Sequence, residues 1–377
     1  MNILIAPNAF KNSLDAARVA EAISKGLQQS TLSCTIDCFP VGDGGDGTAA
    51  LLIQHFNGKR LEATVHDPLG RKIMAPFGII DQNQTAVIEL ADASGLRLLR
   101  PEEYDPVHAS TYGTGELIKQ ALDQQVKKII LCIGGSATVD AATGIMQALG
   151  VKFYDHKGDE LLNLPASLIN LYRIDLSGID KRLQHTELIV LCDVENRILG
   201  SNGAAATFGP QKGASEKDVQ QLENALARFR DVVFDKTGKD MAAVKYGGAA
   251  GGVAAGLYTL MEAKLVNGID YFLDLTGFDA ALHQADLVIT GEGSIDTQTL
   301  QGKAPFGVAK RAKQKSIPVI GLAGKVPLLP DEALQQYFDV LLSINHEALD
   351  LTTAMQQTYD NLTRTAQNLG EILNLKK

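Results

Sequence analysis

Hydrophobic residues at both ends of the chain recur with two spacings, one close to every second residue and one close to 3.6 residues. The first spacing is typical of strands and the second of helices. The N-terminal part predicts a strand at 2–6, a helix at 14–29 with Ser13 as its N-cap, a strand at 35–41 and a helix at 48–56. The C-terminal part predicts a strand at 287–290, a loop at 291–302, a helix at 304–315, strands at 318–322 and 340–344, and a long helix from about Thr352. Strands alternating with helices predict a mostly parallel sheet covered on both faces.

The pattern changes in the middle of the chain. Two strand-like runs, residues 73–80 and 85–91, flank the polar segment 81–84 and predict a hairpin. Helices follow near 115–123, 141–149, 216–234 and 250–264, with short buried strands at 128–133 and 188–192. We therefore predict two α/β domains: a discontinuous, Rossmann-like parallel-sheet domain of residues 1–65 plus 285–377, and a second domain, residues 66–284, inserted into it. We expect the active site in the cleft between them.

Composition and charge narrow the class of protein. The 377 residues exceed the length of about 250–300 at which one hydrophobic core stops growing, so the length favours two domains. The net charge of -9 disfavours binding to nucleic acid or to an anionic membrane, since either needs a broad basic face. The chain shows no signal peptide and no run of about 18 apolar residues, so we expect a cytoplasmic protein. The four cysteines, which fall in segments predicted as buried strands, fit a reducing compartment: Cys34, Cys38, Cys132 and Cys192.

The loop at 42–48 carries glycines and two aspartates, Asp43 and Asp46. Residues 42–47 match Gly-x-Gly-x-x-Gly between a strand and a helix, the setting of a dinucleotide fingerprint. Two carboxylates there would repel a bare pyrophosphate, whereas they suit Mg²⁺, which prefers oxygen ligands, or the hydroxyls of a sugar acid. A solvated acidic turn, with Asp46 helping to cap the next helix, is the structural alternative.

A second glycine cluster, Gly134 and Gly135, leaves a buried strand and leads through Ser136 and Thr138 to a helix. Small residues at this point can bring backbone amides onto an anion, so we predict a phosphate-binding site here. The segment lacks the Walker A pattern. A Gly-Gly turn that packs a helix tightly on a strand would explain the same residues without a ligand.

Three lysines lie beside glycine turns at predicted strand ends: Lys11, Lys212 and Lys303. Ligands of open α/β sheets bind beyond the carboxyl ends of the strands, so these lysines are candidates for binding anions. Asp193 directly follows the apolar strand 188–192. A carboxylate there could accept a hydroxyl proton or hold Mg²⁺, although it could also simply cap the next turn.

Taken together, these loops resemble the type 1 glycerate kinase family. The matching stretches run through nearly the whole chain: residues 6–14, 42–48, 67–71, 112–117, 133–140, 192–194, 208–214, 247–252 and 291–303. Three positions at two places depart from the family's common pattern, Val41-Gly42 in place of Met-Ala and Asn12 in place of a frequent Gly, and no change removes a charge. The resemblance implies that the chain transfers the γ-phosphoryl group of ATP to the 2-hydroxyl of D-glycerate with Mg²⁺. It also implies a discontinuous α/β domain with a second domain inserted.

Phosphoryl transfer depends mainly on positioning and charge stabilisation, and this chemistry suggests a role for each candidate residue. The predicted ATP-binding residues belong to one loop: Gly134, Gly135, Ser136 and Thr138. The predicted catalytic residues are two lysines that neutralise charge and two aspartates of which one accepts the hydroxyl proton: Lys11, Lys303, Asp193 and Asp296. The predicted substrate contacts are Ser13, Asp43, Asp46 and Lys212, and Mg²⁺ is assigned first to Asp43 and Asp193, with Asp46 a further choice.

Three alternative functions stay open on the sequence. Phosphorylation at the 3-hydroxyl would keep the same residues. An NAD-dependent oxidoreductase of a hydroxy acid would use the Gly-x-Gly-x-x-Gly match, and a non-catalytic sugar-acid sensor would use the same anion-binding loops. The expected partners are the small molecules D-glycerate and ATP, with no nucleic acid and no membrane. The sequence leaves open whether the chain forms a homo-oligomer.

Overall fold

The computed structural model describes residues 1–375 of the chain. The strands, in chain order, are β1 (Asn2–Ile5), β2 (Thr35–Cys38), β3 (Lys59–His66), β4 (Lys72–Ile80), β5 (Thr85–Glu89), β6 (Lys128–Cys132), β7 (Lys152–Tyr154), β8 (Arg173–Asp175), β9 (Glu187–Cys192), β10 (Lys264–Asn267), β11 (Leu287–Ser294), β12 (Val319–Lys325) and β13 (Val340–Ser343). The helices are α1 (Ala16–Gln29), α2 (Thr48–His55), α3 (Ala91–Ser94), α4 (Tyr112–Asp123), α5 (Thr143–Ala148), α6 (Ala204–Phe208), α7 (Glu216–Thr237), α8 (Ala249–Met261), α9 (Gly268–Leu275), α10 (Phe278–Leu282), α11 (Ala304–Gln314), α12 (Glu332–Gln335), α13 (Leu351–Gln356) and α14 (Thr358–Asn374).

The chain divides into two compact units. The first unit joins Met1–Asp43 to the C-terminal segment that starts at Asn267, and the second unit is Gly44–Val266. The predicted fold, an α/β domain in two parts with a second α/β domain inserted, is confirmed. The units differ from the predicted domains in two places, because residues 44–65 belong to the second unit and residues 267–284 to the first. The predicted position of the active site stays a prediction.

The first unit is built on a five-stranded sheet with the order β13-β12-β11-β1-β2. All four strand pairs are parallel, as the alternation of strands and helices predicts. Helices α1 and α14 pack together, and their buried residues join those of the sheet in one core. Helix α1 begins after Asp15, whose side chain accepts a hydrogen bond from the Arg18 amide. The prediction that Ser13 is the N-cap is therefore wrong. The Ser13 hydroxyl donates instead to the carbonyl of Met355, at 2.6 Å.

The second unit contains a six-stranded mixed sheet with the order β10-β9-β6-β5-β4-β3. Strands β5, β6 and β9 are parallel to one another, whereas the pairs β3–β4 and β4–β5 are antiparallel, which confirms the predicted hairpin. Strand β3 pairs with β4 along its whole length. This pairing, together with the contacts of α2 with β4 and β5, is why residues 44–65 belong to the second unit. Residues 267–284 join the first unit because α9 packs on α11.

The four cysteines differ in how deeply they are buried. Cys132 and Cys192 are buried as predicted, but Cys34 is only partly buried and Cys38 is exposed, because β2 lies at the edge of its sheet. Across residues 1–375, no helix combines the length and the apolar composition that spanning a bilayer would require.

Candidate active site

The carboxyl ends of β1 and β11 meet at one edge of the sheet of the first unit. Beyond β1, the backbone amide of Asn8 donates to the carbonyl of Gly291 in β11, at 2.8 Å. The side-chain amide of Asn8 donates to Oδ2 of Asp43, at 2.9 Å. Asp43 is buried although it carries a carboxylate. Asn8 therefore holds this predicted ligand residue at the edge where open α/β sheets bind their ligands.

Glu292 is a buried carboxylate at the same edge, and our sequence interpretation gave it no role. Its side chain accepts a hydrogen bond from the Thr299 hydroxyl, at 3.1 Å, and the residue is 9% exposed. Burial raises the pKa of Glu292 to about 7; Lys303 opposes the rise, while Asp43 and Asp296 add to it. Glu292 thus brings three predicted site residues, Asp43, Asp296 and Lys303, into one electrostatic cluster. A signal existed in the sequence, because Glu292 comes two residues after the apolar strand predicted at 287–290, much as Asp193 follows the strand predicted at 188–192.

The other predicted residues of the first unit have different surroundings. Asp296 caps a short 3₁₀ turn, Thr297–Gln301, and accepts a hydrogen bond from the Gln298 amide, at 2.9 Å. Lys303 is the N-cap residue of α11 and is half-buried, whereas Lys11 is exposed. Ser13 is bonded to the backbone, as described above. Of these residues, the structure brings Asp296 and Lys303 to Glu292; whether any of them contacts substrate stays a prediction.

In the second unit the edge of interest is formed by the parallel strands β5, β6 and β9. Glu89 at the end of β5 pairs with Cys132 at the end of β6, and Cys132 pairs with Leu191 of β9. Gly134 lies two residues after Cys132, and Asp193 lies two residues after Leu191 on the neighbouring strand. Asp193 is half-buried, and after burial itself its charge is the second cause that raises the pKa of the Cys192 thiol. The structure therefore places Asp193 beside the start of the predicted phosphate-binding loop.

The 134–138 loop is fixed by backbone hydrogen bonds on two sides. The Gly134 amide donates to the carbonyl of Gly44, at 2.9 Å. The loop also pairs with residues 94–96, at the end of α3 and just beyond it: the Ala137 amide donates to the Ser94 carbonyl and the Leu96 amide donates to the Gly135 carbonyl, both at 2.9 Å. These bonds hold the loop in one conformation, as a preorganised anion site requires.

Lys212 lies beneath this loop. Its Nζ atom donates to the hydroxyl of Ser136 and to the carbonyl of Thr138, both at 2.7 Å. The residue is only 2% exposed. Burial lowers the pKa of Lys212 to about 7, and the nearby Asp140 carboxylate opposes this fall. The structure thus brings Lys212 together with Ser136 and Thr138, although the sequence grouped it with the substrate-binding residues.

Asp140 anchors the end of the same segment. Its buried carboxylate accepts hydrogen bonds from the amide and the hydroxyl of Thr111, at 2.9 and 2.7 Å. The amides of Ala142 and Gly144 donate to it as well, both at 3.2 Å. Burial raises the pKa of Asp140, and these hydrogen bonds oppose the rise. The Thr138 hydroxyl is different: it is buried, and no hydrogen-bond partner for it occurs in residues 1–375.

Asp46, which the sequence interpretation paired with Asp43, has its contacts in the second unit. Its Oδ1 atom lies 3.4 Å from Nη1 of Arg97, whose guanidinium also pairs with Asp92. The same carboxylate lies close to the backbone of Gly135, since a Cβ atom at Gly135 would come within 2.8 Å of Oδ1. Asp46 does not cap α2. Instead, the Ala49 amide in the first turn of α2 donates a hydrogen bond to the Glu89 carboxylate, at 2.9 Å.

The donor set of the site includes carboxylates and hydroxyls but no compact protein cage. Throughout the part of the chain that the structure describes, no group of three or more His, Cys, Asp or Glu residues could together hold a metal ion. Mg²⁺ is commonly bound through one or two carboxylates plus substrate phosphates. Asp193 provides such a carboxylate beside the 134–138 loop.

Comparison with known proteins identifies the family to which the chain belongs. The sequence model of the glycerate kinase family matches residues 3–374. The glycerate 2-kinase of Escherichia coli K12 is 42% identical over 377 residues, covering 99% of this chain and 98% of that protein. The glycerate kinase of Bacillus subtilis is 41% identical, covering 100% of this chain and 99% of its own. The crystal structure of a candidate glycerate kinase 2 from Salmonella typhimurium LT2 matches with a TM-score of 0.83 at 39% identity, covering 100% of this chain and 99% of that one.

These matches make the chain a phosphotransferase with a two-domain α/β fold. It belongs to the glycerate kinase family, as the resemblance of its loops predicts.

Proposed function

We propose that the chain transfers the γ-phosphoryl group of Mg-ATP to the 2-hydroxyl of D-glycerate, giving 2-phospho-D-glycerate and ADP. The family and the names of the relatives support glycerate as the acceptor, and the name of the Escherichia coli relative supports the 2-position. Membership of a phosphotransferase family removes the oxidoreductase and the sensor from consideration. Phosphorylation at the 3-hydroxyl is the remaining alternative.

The observation that carries the proposal is the 134–138 loop with Lys212 beneath it. The loop follows a buried parallel strand and is fixed by backbone hydrogen bonds from the Gly134 and Ala137 amides, whereas the amides of Gly135 and Ser136 are not used in these bonds and can donate to an anion. We assign the phosphates of ATP to Gly134, Gly135, Ser136 and Thr138. The buried Thr138 hydroxyl without a partner supports this assignment, because buried polar groups are normally hydrogen-bonded. Lys212 fixes the loop through its bonds to Ser136 and Thr138.

The cluster around Glu292 supplies the groups that glycerate requires. Lys11 and Lys303 are proposed to neutralise the substrate carboxylate and the transferred phosphoryl group. Asp43, fixed by Asn8, is proposed to accept hydrogen bonds from the glycerate hydroxyls. Asp296, which caps the 3₁₀ turn, is proposed to contribute to the raised pKa of Glu292 through its negative charge. Ser13 and Asp46, the other predicted substrate contacts, are already bonded to Met355 and Arg97 and are given no contact with glycerate.

Glu292 is proposed as the group that accepts the proton of the attacking hydroxyl. A general base works best when its pKa lies near the operating pH, and burial brings the pKa of Glu292 to about 7. One of its oxygens is occupied by the Thr299 hydroxyl, and no hydrogen bond to the other occurs among the described residues. Asp193 is proposed to hold Mg²⁺, which when bound neutralises charge on the phosphates.

The test is an ADP-coupled assay with purified protein, Mg-ATP and D-glycerate, followed by phosphorus and proton NMR of the product. We expect ADP formation that requires D-glycerate and a phosphorus signal coupled to the proton on C2. Omitting Mg²⁺ should abolish turnover, and L-glycerate serves as the matched acceptor control. A phosphorus signal coupled to the C3 protons would move the reaction to the 3-hydroxyl, and no glycerate-dependent ADP would refute the proposal. The cytoplasmic location stays a prediction, and the oligomeric state stays open.

A further inference from the structure

A cavity of about 380 Å³ in the second unit has no role in the function proposed so far. One wall is formed by one face of α2, and the other by β4 and the end of β5. Its lining combines apolar side chains, among them Ile53 and Phe77, with the charged groups of Glu89 and Arg97. Cavities of this size with a few polar groups on an apolar wall are typical of small-molecule sites.

Glu89 is the polar group that gives the cavity its chemistry. The residue is 5% exposed, and its Oε1 atom accepts a hydrogen bond from the Ala49 amide. Its Oε2 atom lies 3.8 Å from Nη2 of Arg97, beyond hydrogen-bond distance, and no hydrogen bond to Oε2 occurs in the described chain. Glu89 therefore presents one open carboxyl oxygen to the cavity that it lines.

The cavity is next to the 134–138 loop. Gly95 pairs with Ser136 as an isolated bridge, and the Leu96 amide donates to the Gly135 carbonyl. Arg97, the next residue, lines the cavity. A ligand bound through phosphates at the loop would therefore reach the cavity along this short segment.

We propose that this cavity binds the nucleoside of ATP, with the ribose hydroxyls on Glu89 and the purine against the apolar wall of Ile53 and Phe77. The inference rests on the proposed function, since it extends the phosphate site at the loop. The arrangement of strands supports it: a glycine loop follows β6, and an acidic residue ends the adjacent parallel strand β5. Dinucleotide-binding folds use this pairing of a glycine loop with a neighbouring carboxylate to hold phosphate and ribose. D-glycerate is too small and too polar to match the apolar wall.

Ala50 allows a direct test, because it lines the cavity yet is exposed on α2, so a larger side chain there should not disturb folding. Calorimetry would measure the dissociation constants of ADP and of inorganic tripolyphosphate for the wild type and for Ala50→Phe. We expect Ala50→Phe to weaken ADP by about 10–100-fold, the range for steric mismatch in a pocket. Tripolyphosphate should bind both proteins equally. The control is His55→Phe, on the same helix but outside the cavity lining, which should bind ADP as the wild type does.

A second variant tests the carboxylate. In Glu89→Gln the amide oxygen can still accept from Ala49, so the helix terminus is preserved. At about pH 8.5, above the pKa of about 7 to which burial raises Glu89, the wild type should bind 2′-deoxy-ADP or 3′-deoxy-ADP about 10-fold more weakly than ADP, the value of one hydrogen bond to a charged group. Glu89→Gln should reduce that discrimination.

The outcomes separate this inference from the function on which it rests. Equal ADP affinity in Ala50→Phe and the wild type, or an equal loss of tripolyphosphate affinity, would overturn the nucleoside site even in an active kinase. A wild type that binds ADP but forms none from ATP and D-glycerate would refute the proposed function, while the comparison of dissociation constants would still decide the cavity.

Discussion

Nζ of Lys212 lies 2.7 Å from Oγ of Ser136, in a part of the second unit that solvent hardly reaches. A lysine is rarely buried without a carboxylate in contact, and here both bonded acceptors, the Ser136 hydroxyl and the Thr138 carbonyl, are neutral. Burial accordingly lowers the pKa of Lys212 to about 7. Lys212 is therefore better described as a residue that positions the 134–138 loop than as a surface charge that attracts substrate.

Lys212→Met should loosen the loop. The substitution keeps an unbranched side chain but removes both donors, which leaves the Thr138 carbonyl unpaired at a cost of about 1–3 kcal/mol. We expect a lower free energy of unfolding in urea and a KM for ATP raised more than the KM for D-glycerate. The control is Lys217→Met, at an exposed lysine nearby. Equal KM values for ATP in the two variants would contradict the positioning role.

The stability of the wild type should also depend on pH through Lys212. Its pKa is lower in the folded state, about 7, than the ordinary value of 10.5, so the folded protein binds fewer protons between these values. The free energy of unfolding should therefore rise with pH from about 7 towards 10, relative to Lys212→Met, by at most about 1.4 kcal/mol per pH unit. A difference between the two proteins that stays constant from pH 7 to 9.5 would exclude this titration.

Glu292→Gln should remove the proposed base. We expect kcat to fall by about 10²–10⁴-fold, the usual range for a general base, and the rise of the wild-type rate through pH 7 to disappear. Folding provides an independent readout. Because the pKa of Glu292 is raised in the folded state from 4.5 to about 7, wild-type stability should fall relative to that of the variant as pH rises between these values.

The matched control for Glu292 is Glu347→Gln, at an exposed glutamate of the same unit. A Glu292→Gln protein that keeps the stability expected above but has near-normal turnover would show that the carboxylate has only a structural role.

Asp193→Asn tests the proposed Mg²⁺ ligand. We expect the Mg²⁺ concentration for half-maximal activity to rise by at least about 10–100-fold, the loss seen when groups one step removed from a metal are changed. Glu195→Gln, at an exposed residue two positions further on, is the control. A fall in kcat of about 10²–10⁴-fold with unchanged Mg²⁺ dependence would instead make Asp193 a proton acceptor. Near-normal turnover with a normal Mg²⁺ dependence would remove it from the mechanism.

The sequence predicts the parallel sheet of the first unit well because its strands and helices have clear periods, but it misses features that depend on pairing between distant segments. Gly291 and Gly293 indicate a loop, yet β11 continues to Ser294 because it pairs with β12 out to Lys325. Glu292 thereby lies inside a buried strand rather than in a loop.

Burial of charged groups is equally difficult to predict. Strand β3 was missed because its charged and apolar residues alternate on a half-exposed face, and only its pairing with β4 defines it. Lys212 has the local sequence of a solvated lysine, and its burial follows from the packing of residues more than seventy positions away in the chain. The glycine loops themselves, whose signal is local, could be predicted from the sequence.

The N-terminal part of α8 packs closely against the backbone of the 134–138 loop at Thr138. The helix predicted at 250–264 is present but ends at Met261, and Lys264 begins β10 instead. Ala250, Gly251 and Gly252 have left-handed backbone conformations inside its N-terminal part. At Gly251, with φ +70°, a Cβ atom would come within 2.1 Å of the Thr138 carbonyl oxygen. Gly251→Ala therefore combines backbone strain with a steric clash against the loop. Gly238 supplies the control, because it has the same φ of +70° and a Cβ atom added there would have no neighbour within 4 Å.

Gly238→Ala should cost about 1 kcal/mol, the strain of a left-handed residue alone. Gly251→Ala should cost a further 1–3 kcal/mol or so, as overpacking in a core does, and should raise the KM for ATP because it displaces Thr138. Urea unfolding of the two variants and the wild type measures both costs, and steady-state kinetics measures the second effect. Equal stability of the two variants would mean that the segment at Thr138 yields freely to the added methyl group, contrary to the fixed loop on which the phosphate site depends.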